Sequence, residues 1–287
     1  MTIHRGPVLC LCAVGTIAVA VADSFGPHRA LAFTPAGELA SHRAVYELKL
    51  AQVRSSSAAV SARGRILYDF SGSSCEGYTL QFRQVSELNN GEGKSTLSDL
   101  RSTSWEDAAA KKFIFKSQNY LNETLVDSVD GQAQREADKV AVGLTKPADK
   151  KFDLDATIVF PTDHMRRIID AARADKSILE VPVYDGSDKG DKVYNTLTVI
   201  GRLIMPNERM PTDAAAGKQG LTGLKRWPVT VSYFDRAAKS GDQTPVYSIK
   251  FELYENGISR ALVLDYNDFA ISGELTSIEV RDTKPCN

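Results

Sequence analysis

Apolar and polar residues alternate at period two through the last sixty or so residues, from Trp227 to Cys286, and few folds other than a sheet accept that pattern. Val229, Val231 and Tyr233 alternate with Thr230 and Ser232. Tyr247, Ile249, Phe251 and Leu253 alternate with Ser248, Lys250 and Glu252. Successive side chains of a strand point to opposite faces, so the pattern buries one face and wets the other, as in an antiparallel sheet. Glu255-Asn256-Gly257 supplies the positive-φ residue that a tight hairpin needs, and Ser272-Gly273 reads as a second reversal. A further turn or loop is expected at Ala237–Thr244, giving a four-strand meander.

The same alternation runs from Ser41 to Val142. Ala44, Tyr46, Leu48 and Leu50 form one set, Ile66, Tyr68 and Phe70 a second, and Tyr78, Leu80 and Phe82 a third. Asn90-Gly91 turns the chain into the polar stretch Lys94–Trp105; Phe113 and Phe115, then Thr124–Val129, continue the pattern to an expected turn at Asp130-Gly131. Strands resume at Ile178–Val183 and Val193–Ile204. No repeat of fixed period is present, which argues against a propeller or solenoid.

One stretch changes period. Met165, Ile168, Ile169 and Ala172 fall on one face of a helix of about three turns, with Thr162 or Asp163 expected to cap it and Pro161 just ahead. That face either packs into the core or lines a cavity inside a curved sheet. Pro206–Arg226 lacks a pattern and is expected to be a mobile or functional loop.

The first residues read as an export signal. Arg5 gives a short basic region, and Val8–Ala22 is an uncharged, mostly apolar run, shorter than the roughly 20 residues a spanning helix needs. Cleavage is expected after Ala22 or Ala32, preferably Ala32, which leaves residues 33–287 as one domain of an exported, soluble protein. Lys and Arg number 35 against 36 Asp and Glu and are scattered, so a nucleic-acid role is not expected. Beyond the leader, the cysteines are Cys75 and Cys286. In an oxidising compartment their pairing is expected over two free thiols, closing a loop of about 210 residues, worth roughly 5 kcal/mol by chain entropy.

No motif supports a catalytic centre. Gly91-Glu-Gly-Lys94-Ser95 resembles the end of a P-loop, but the position that needs the first glycine is Leu88. Asp185, Asp188 and Asp191 are spaced three apart, not at the calcium-loop spacing, and suit a hairpin loop. Beyond the leader the histidines are His42 and His164, and His164 beside Asp163 falls in a first helical turn. No Gly-x-Ser-x-Gly elbow occurs. No enzyme activity, metal or cofactor is expected.

Several phrases carry a resemblance: Ser41-His-Arg-Ala-Val-Tyr46, Cys75-Glu-Gly-Tyr78, Ser104-Trp105-Glu106, Val183-Tyr-Asp-Gly-Ser187, Ser232-Tyr-Phe234, Phe251-Glu-Leu-Tyr254 and Leu264-Asp-Tyr266-Asn-Asp-Phe269. In this order, closing on Cys286, they resemble the EipB family of periplasmic cell-envelope integrity proteins of alphaproteobacteria. The resemblance implies a mainly β fold, a single antiparallel many-stranded broken barrel or β-spiral with one short amphipathic helix. It also implies a disulfide between Cys75 and Cys286, and a role in keeping the envelope intact under stress. Two modes of action follow as expectations for a monomer: binding of periplasmic or envelope proteins at exposed sheet edges, or carriage of a lipid or acyl chain.

Overall fold

The computed structural model describes residues 38–54, 61–90, 93–213, 215–217, 220–238 and 244–282, all within one compact unit, Thr34–Asn287. The expected signal segment and Cys286 lie outside the described residues. The first arm of the chain comprises β1 (His42–Val53), β2 (Ser61–Ser73), β3 (Gly77–Asn89), β4 (Ser95–Glu106), β5 (Lys112–Leu121), β6 (Thr124–Arg135), β7 (Lys139–Lys146) and β8 (Lys150–Asp155). A helix, α1 (Pro161–Arg173), follows. The second arm comprises β9 (Ile178–Val183), β10 (Tyr194–Ile200), β11 (Arg226–Asp235), β12 (Tyr247–Tyr254), β13 (Ser259–Asp265) and β14 (Phe269–Val280).

All fourteen strands form one antiparallel sheet in the order β8 to β1, then β14 to β9. Neighbouring strands are consecutive in the chain except β1 and β14, which pair from His42↔Val280 to Val53↔Phe269. The two arms thus join along β1–β14, and the free edges are β8 and β9, consecutive in the chain. The sheet does not close. Among the described residues a parallel bridge, Val159↔Val183, links the chain leaving β8 to β9.

The buried clusters show that the sheet curls. One unites Phe70 and Tyr78 of β2 and β3 with Trp227, Val229 and Leu253 of β11 and β12, and Ile168, Ile169 and Ala172 of α1 fill the space between. A second joins Tyr46, Leu48 and Ile66 to Leu264, Ile271 and Leu275. A third joins Phe113 and Phe115 to Tyr184 across the open seam. Strands far apart in the sheet share a core only if the sheet wraps around it.

Four expectations are corrected. Ser272-Gly273 is not a reversal but lies inside β14, where Gly273 pairs with Leu48 and Leu262; the turn is Tyr266–Asp268, with Asn267 at φ 69°. Asp130-Gly131 is a register irregularity inside β6, not a turn. The strand pattern also extends past Val142 into β7 and the charged β8. Pro206–Arg226 is not a free loop. Ala215 and Leu221 are buried in the second cluster, and Arg226 belongs to β11. A buried network holds the loop: Arg226 Nε donates to Glu252 at 2.7 Å, while Arg260 bonds both Glu252 and Asp213 of the loop. Paired and hydrogen-bonded, these charges tolerate burial.

Ile168 is 2% exposed and packed on all sides. Ile168→Ala is expected to lower the free energy of unfolding by about 2–5 kcal/mol through the cavity it leaves. Urea denaturation checks this, and an unchanged midpoint would remove α1 from the core.

Candidate functional site

The seam between β8 and β9 is where the sheet leaves work to other elements, and α1 does most of it. Neither Thr162 nor Asp163 caps the helix through its side chain; the N-cap position is Phe160, and Pro161 opens the first turn. The cap comes from β4 instead. Glu106 accepts the backbone N–H of Thr162 at 2.7 Å and of Asp163 at 2.9 Å. A carboxylate at this position satisfies orphan N–H groups and faces the positive end of the helix. Burial outweighs both bonds and pushes the Glu106 carboxyl up to about 7.

Arg135, from the end of β6, fixes the chain that enters the helix. Its guanidinium donates to the carbonyls of Ala110, Ala156 and Ile158 at 3.0, 2.6 and 2.6 Å. Arg166 donates to Ala108 O at 2.8 Å and stands 4.9 Å over the Tyr78 ring. At the far end Arg173 donates to Glu255 O at 3.0 Å. The helix is tied to the first arm at its start and to the second at its end.

Of the four helix residues singled out by sequence, Ile168, Ile169 and Ala172 are core. Met165 is half-buried and borders a cavity of about 50 Å³ with Leu39, Tyr68 and Phe70. Ligand pockets of drug size run to roughly 300–1,000 Å³, so this gap is far smaller. His164 and Asp163 do not form an acid–base pair. Asp163 accepts from Arg167 Nε at 3.0 Å, whereas buried His164 has Nε2 3.5 Å from Thr196 Oγ1. Burial lowers the His164 pKa to about 4, and that of His42 likewise; His42 Nδ1 donates to Ala40 O at 2.7 Å. Cys75 lies in the turn between β2 and β3, where its N–H meets Ser73 Oγ at 3.3 Å. Among the described residues no three His, Cys, Asp or Glu side chains are grouped to hold a metal. Sequence reasoning missed Glu106 as a helix cap because its partners lie 56 and 57 residues away.

Edge strand β9 is only partly covered. Ser177 O accepts from Ile200 N–H, and Pro182, which has no N–H, stands opposite Asn195. The backbone groups of Ile178, Glu180 and Pro182 therefore point away from β10. Pro182 O accepts from Val159 N–H at 2.8 Å. Ile178 and Glu180 find no backbone partner on that side among the described residues. Ile178 is 59% exposed, next to Val199 on β10 at 48%.

Comparison with known proteins matches this architecture to a family. The EipB-like family model covers residues 34–282. The chain belongs to the EipB-like family. It is 36% identical over 245 residues to the cell envelope integrity protein EipB of Brucella abortus (strain 2308), covering 85% of each chain. A crystal structure from Brucella abortus, titled a beta-barrel-like protein of a domain of unknown function, matches with TM-score 0.78 at 35% identity. The match covers 85% of this chain and 99% of that one. Neither name is that of an enzyme.

In this EipB-like chain the buried titratable groups oppose one another. Glu106, raised to about 7, holds its proton in the folded state between about pH 4.5 and 7, so stability falls as pH rises through that window. His42 and His164, lowered to about 4, stay neutral when folded but charge when unfolded, so their contribution is lost as pH falls from 6.5 to 4. Glu106→Gln removes the opposing contribution and is expected to steepen the loss of stability from pH 7 to 4.5, measured by denaturant titration at each pH. A parallel profile for the variant would show that Glu106 is ionised in the folded protein.

Proposed function

We propose that this protein is a non-enzymatic periplasmic factor that maintains cell-envelope integrity by binding envelope partner proteins. The observation that carries the role is the likeness over 85% of both chains to a protein named for envelope integrity. The periplasmic location is supported by the basic and apolar pattern of the first residues. The free edge of β9 supports the mode of binding. Unpaired backbone groups at Ile178 and Glu180, beside exposed Ile178 and Val199, suit addition of an extended partner segment.

The bridge between Cys75 and Cys286 belongs to the same proposal. Cys75 is half of a disulfide and not a free thiol. The end of β14 also lies beside its turn: Arg281 N–H donates to Ser41 O at 2.8 Å, and Ser41 Oγ donates to Gly72 O at 3.2 Å. Five residues from Arg281 to Cys286 reach up to about 17 Å.

A second reading, carriage of an acyl chain, is favoured by one observation. Leu50, Phe82, Leu88, Ile249, Leu262 and Phe269 pack against the second cluster yet remain half-exposed, so the concave face is not filled. Native mass spectrometry of protein purified gently from its own periplasm separates the readings, because a bound protein supports the first and a stoichiometric lipid the second.

Glu180→Pro removes an N–H that no strand of the sheet uses, at an edge position where proline is tolerated, and is expected to change stability by no more than about 1 kcal/mol. It should abolish partner capture and envelope protection in cells; retention of both would rule out the β9 edge. Cys75→Ser is expected to cost about 2–5 kcal/mol. Non-reducing thermal melts check this, and an unchanged melt would remove the bridge from the stability of the fold.

A further inference from the structure

One row of positions crosses four strands of the first arm. Ile114 of β5 stands opposite Gln132 of β6, Gln132 opposite Gly143 of β7, and Gly143 opposite Lys151 of β8. Their chain neighbours Phe113, Phe115, Ala133, Val142 and Leu144 are buried in the third cluster, so the row lies on the outer face of the sheet. Gly143 gives the row no side chain, and an open groove of about 660 Å³ lies there, within the size range of ligand pockets. Asp130, Thr145, Asp149 and Lys150 also line it. Thr145 is the extra residue of the irregularity between β6 and β7, since Asp130 pairs with Lys146 and Gly131 with Leu144. A bulge of this kind re-aims a side chain; Thr145 is exposed, and its Oγ1 donates to Asp130 O at 3.3 Å.

Nothing in the packing asks for a glycine at 143. Its φ is not positive, and a Cβ there would meet no atom within 4 Å. A glycine inside a strand loses more entropy on folding than any other residue and packs nothing, so it weakens the strand. What it does here is keep the groove open. The polar groups around it are uncommitted. Lys150 is paired with Asp191 at 2.6 Å, but Asp130, Asp149 and Lys151 have no ion pair among the described residues. The exposed amide of Gln132 likewise makes no hydrogen bond among them.

We propose that this groove binds an oligosaccharide. Each sugar hydroxyl donates and accepts at once, and the groove offers both, with donors at Gln132 and Lys151 and acceptors at Gln132, Asp130 and Asp149. Ile114, 40% exposed, is an apolar platform for the C–H face of a ring. An anion would meet Asp130 and Asp149, a cation Lys150 and Lys151, and an acyl chain would leave all of these groups unpaired. A peptide that adds as a strand needs a free backbone edge, whereas β6 and β7 beneath the groove are laddered on both sides. From β5 to β8 the row crosses three strand spacings, roughly 14 Å, longer than a single sugar ring. The site goes beyond the partner edge, since no residue of β9 lines it.

The test applies the whole labelled protein to an array of neutral, N-acetylated and uronic-acid trisaccharides. Saturable binding to a neutral or N-acetylated sugar is expected. Gly143→Phe fills the groove and should weaken that binding at least about tenfold. Its melting temperature should hold or rise, because the new side chain enters open space and phenylalanine suits a strand. Binding to no sugar, binding to uronic acids alone, or unchanged binding by Gly143→Phe would overturn the proposal. If Gly143→Phe melts lower or does not fold, Gln132→Ala decides, since the amide it removes holds nothing within the protein. Weakening by at least about threefold upholds the site, and unchanged binding overturns it.

Discussion

The ladder between β1 and β14 is the contact on which the rest of the structure depends. Every other pairing in the sheet joins strands consecutive in the chain, at far smaller sequence separation. The β1–β14 ladder joins residues such as His42 and Val280, and without it the protein is two separate meanders. Loop-closure entropy grows only slowly with length, so this long closure costs little more than a shorter one at equilibrium. It weighs more on rate, because non-local pairings form late. The proposed bridge would act at this junction, since Cys75 follows β2 and Cys286 follows β14, the two strands that flank β1.

Joining the arms at β1–β14 places both free edges at one seam, and there the sheet exchanges hydrogen bonds for packing. A further strand pair would satisfy both edges. The chain instead spends the interval between β8 and β9 on α1, whose apolar face fills the curl between β2–β3 and β11–β12. The helix start then needs an acceptor, which Glu106 supplies from across the sheet. The two edges are also unlike. β8 is Lys-Lys-Phe-Asp-Leu-Asp, whose exposed charges discourage edge-to-edge pairing, whereas β9 carries Ile178 in the open. That asymmetry makes β9 the better candidate for a partner.

Much of this was legible in the sequence, because a strand that is buried on one face writes its period into its residues. The C-terminal meander, the early hairpins and the helix face Ile168, Ile169 and Ala172 all followed from period alone. The errors share a cause. Gly131 and Gly273 were expected at turns, but each sits mid-strand where another group comes close. A Cβ at Gly131 would lie 2.6 Å from Leu144 Cδ2, and one at Gly273 3.1 Å from Leu262 Cβ. Local sequence does not distinguish a glycine needed for φ from one needed for space. The Glu106 cap and the Asp213–Arg260 pair were illegible for a related reason, since each joins residues tens of positions apart.

The same distinction explains why the acids of the β9–β10 loop divide into two kinds. Spacing alone makes Asp185, Asp188 and Asp191 equivalent, and as a set they fit no metal loop. In the structure Asp188 is spent on Lys192 and Asp191 on Lys150, both toward solvent. Asp185 instead accepts the N–H of Ser187 and has no ion pair among the described residues, while its neighbour Gly186 packs so close to Phe115 that a Cβ would lie 2.3 Å from the ring. A hairpin loop needs none of the three to be buried, and two obey that rule. Asp185 is only partly exposed and burial raises its carboxyl pKa, so its surroundings, which spacing does not encode, set it apart from the other two.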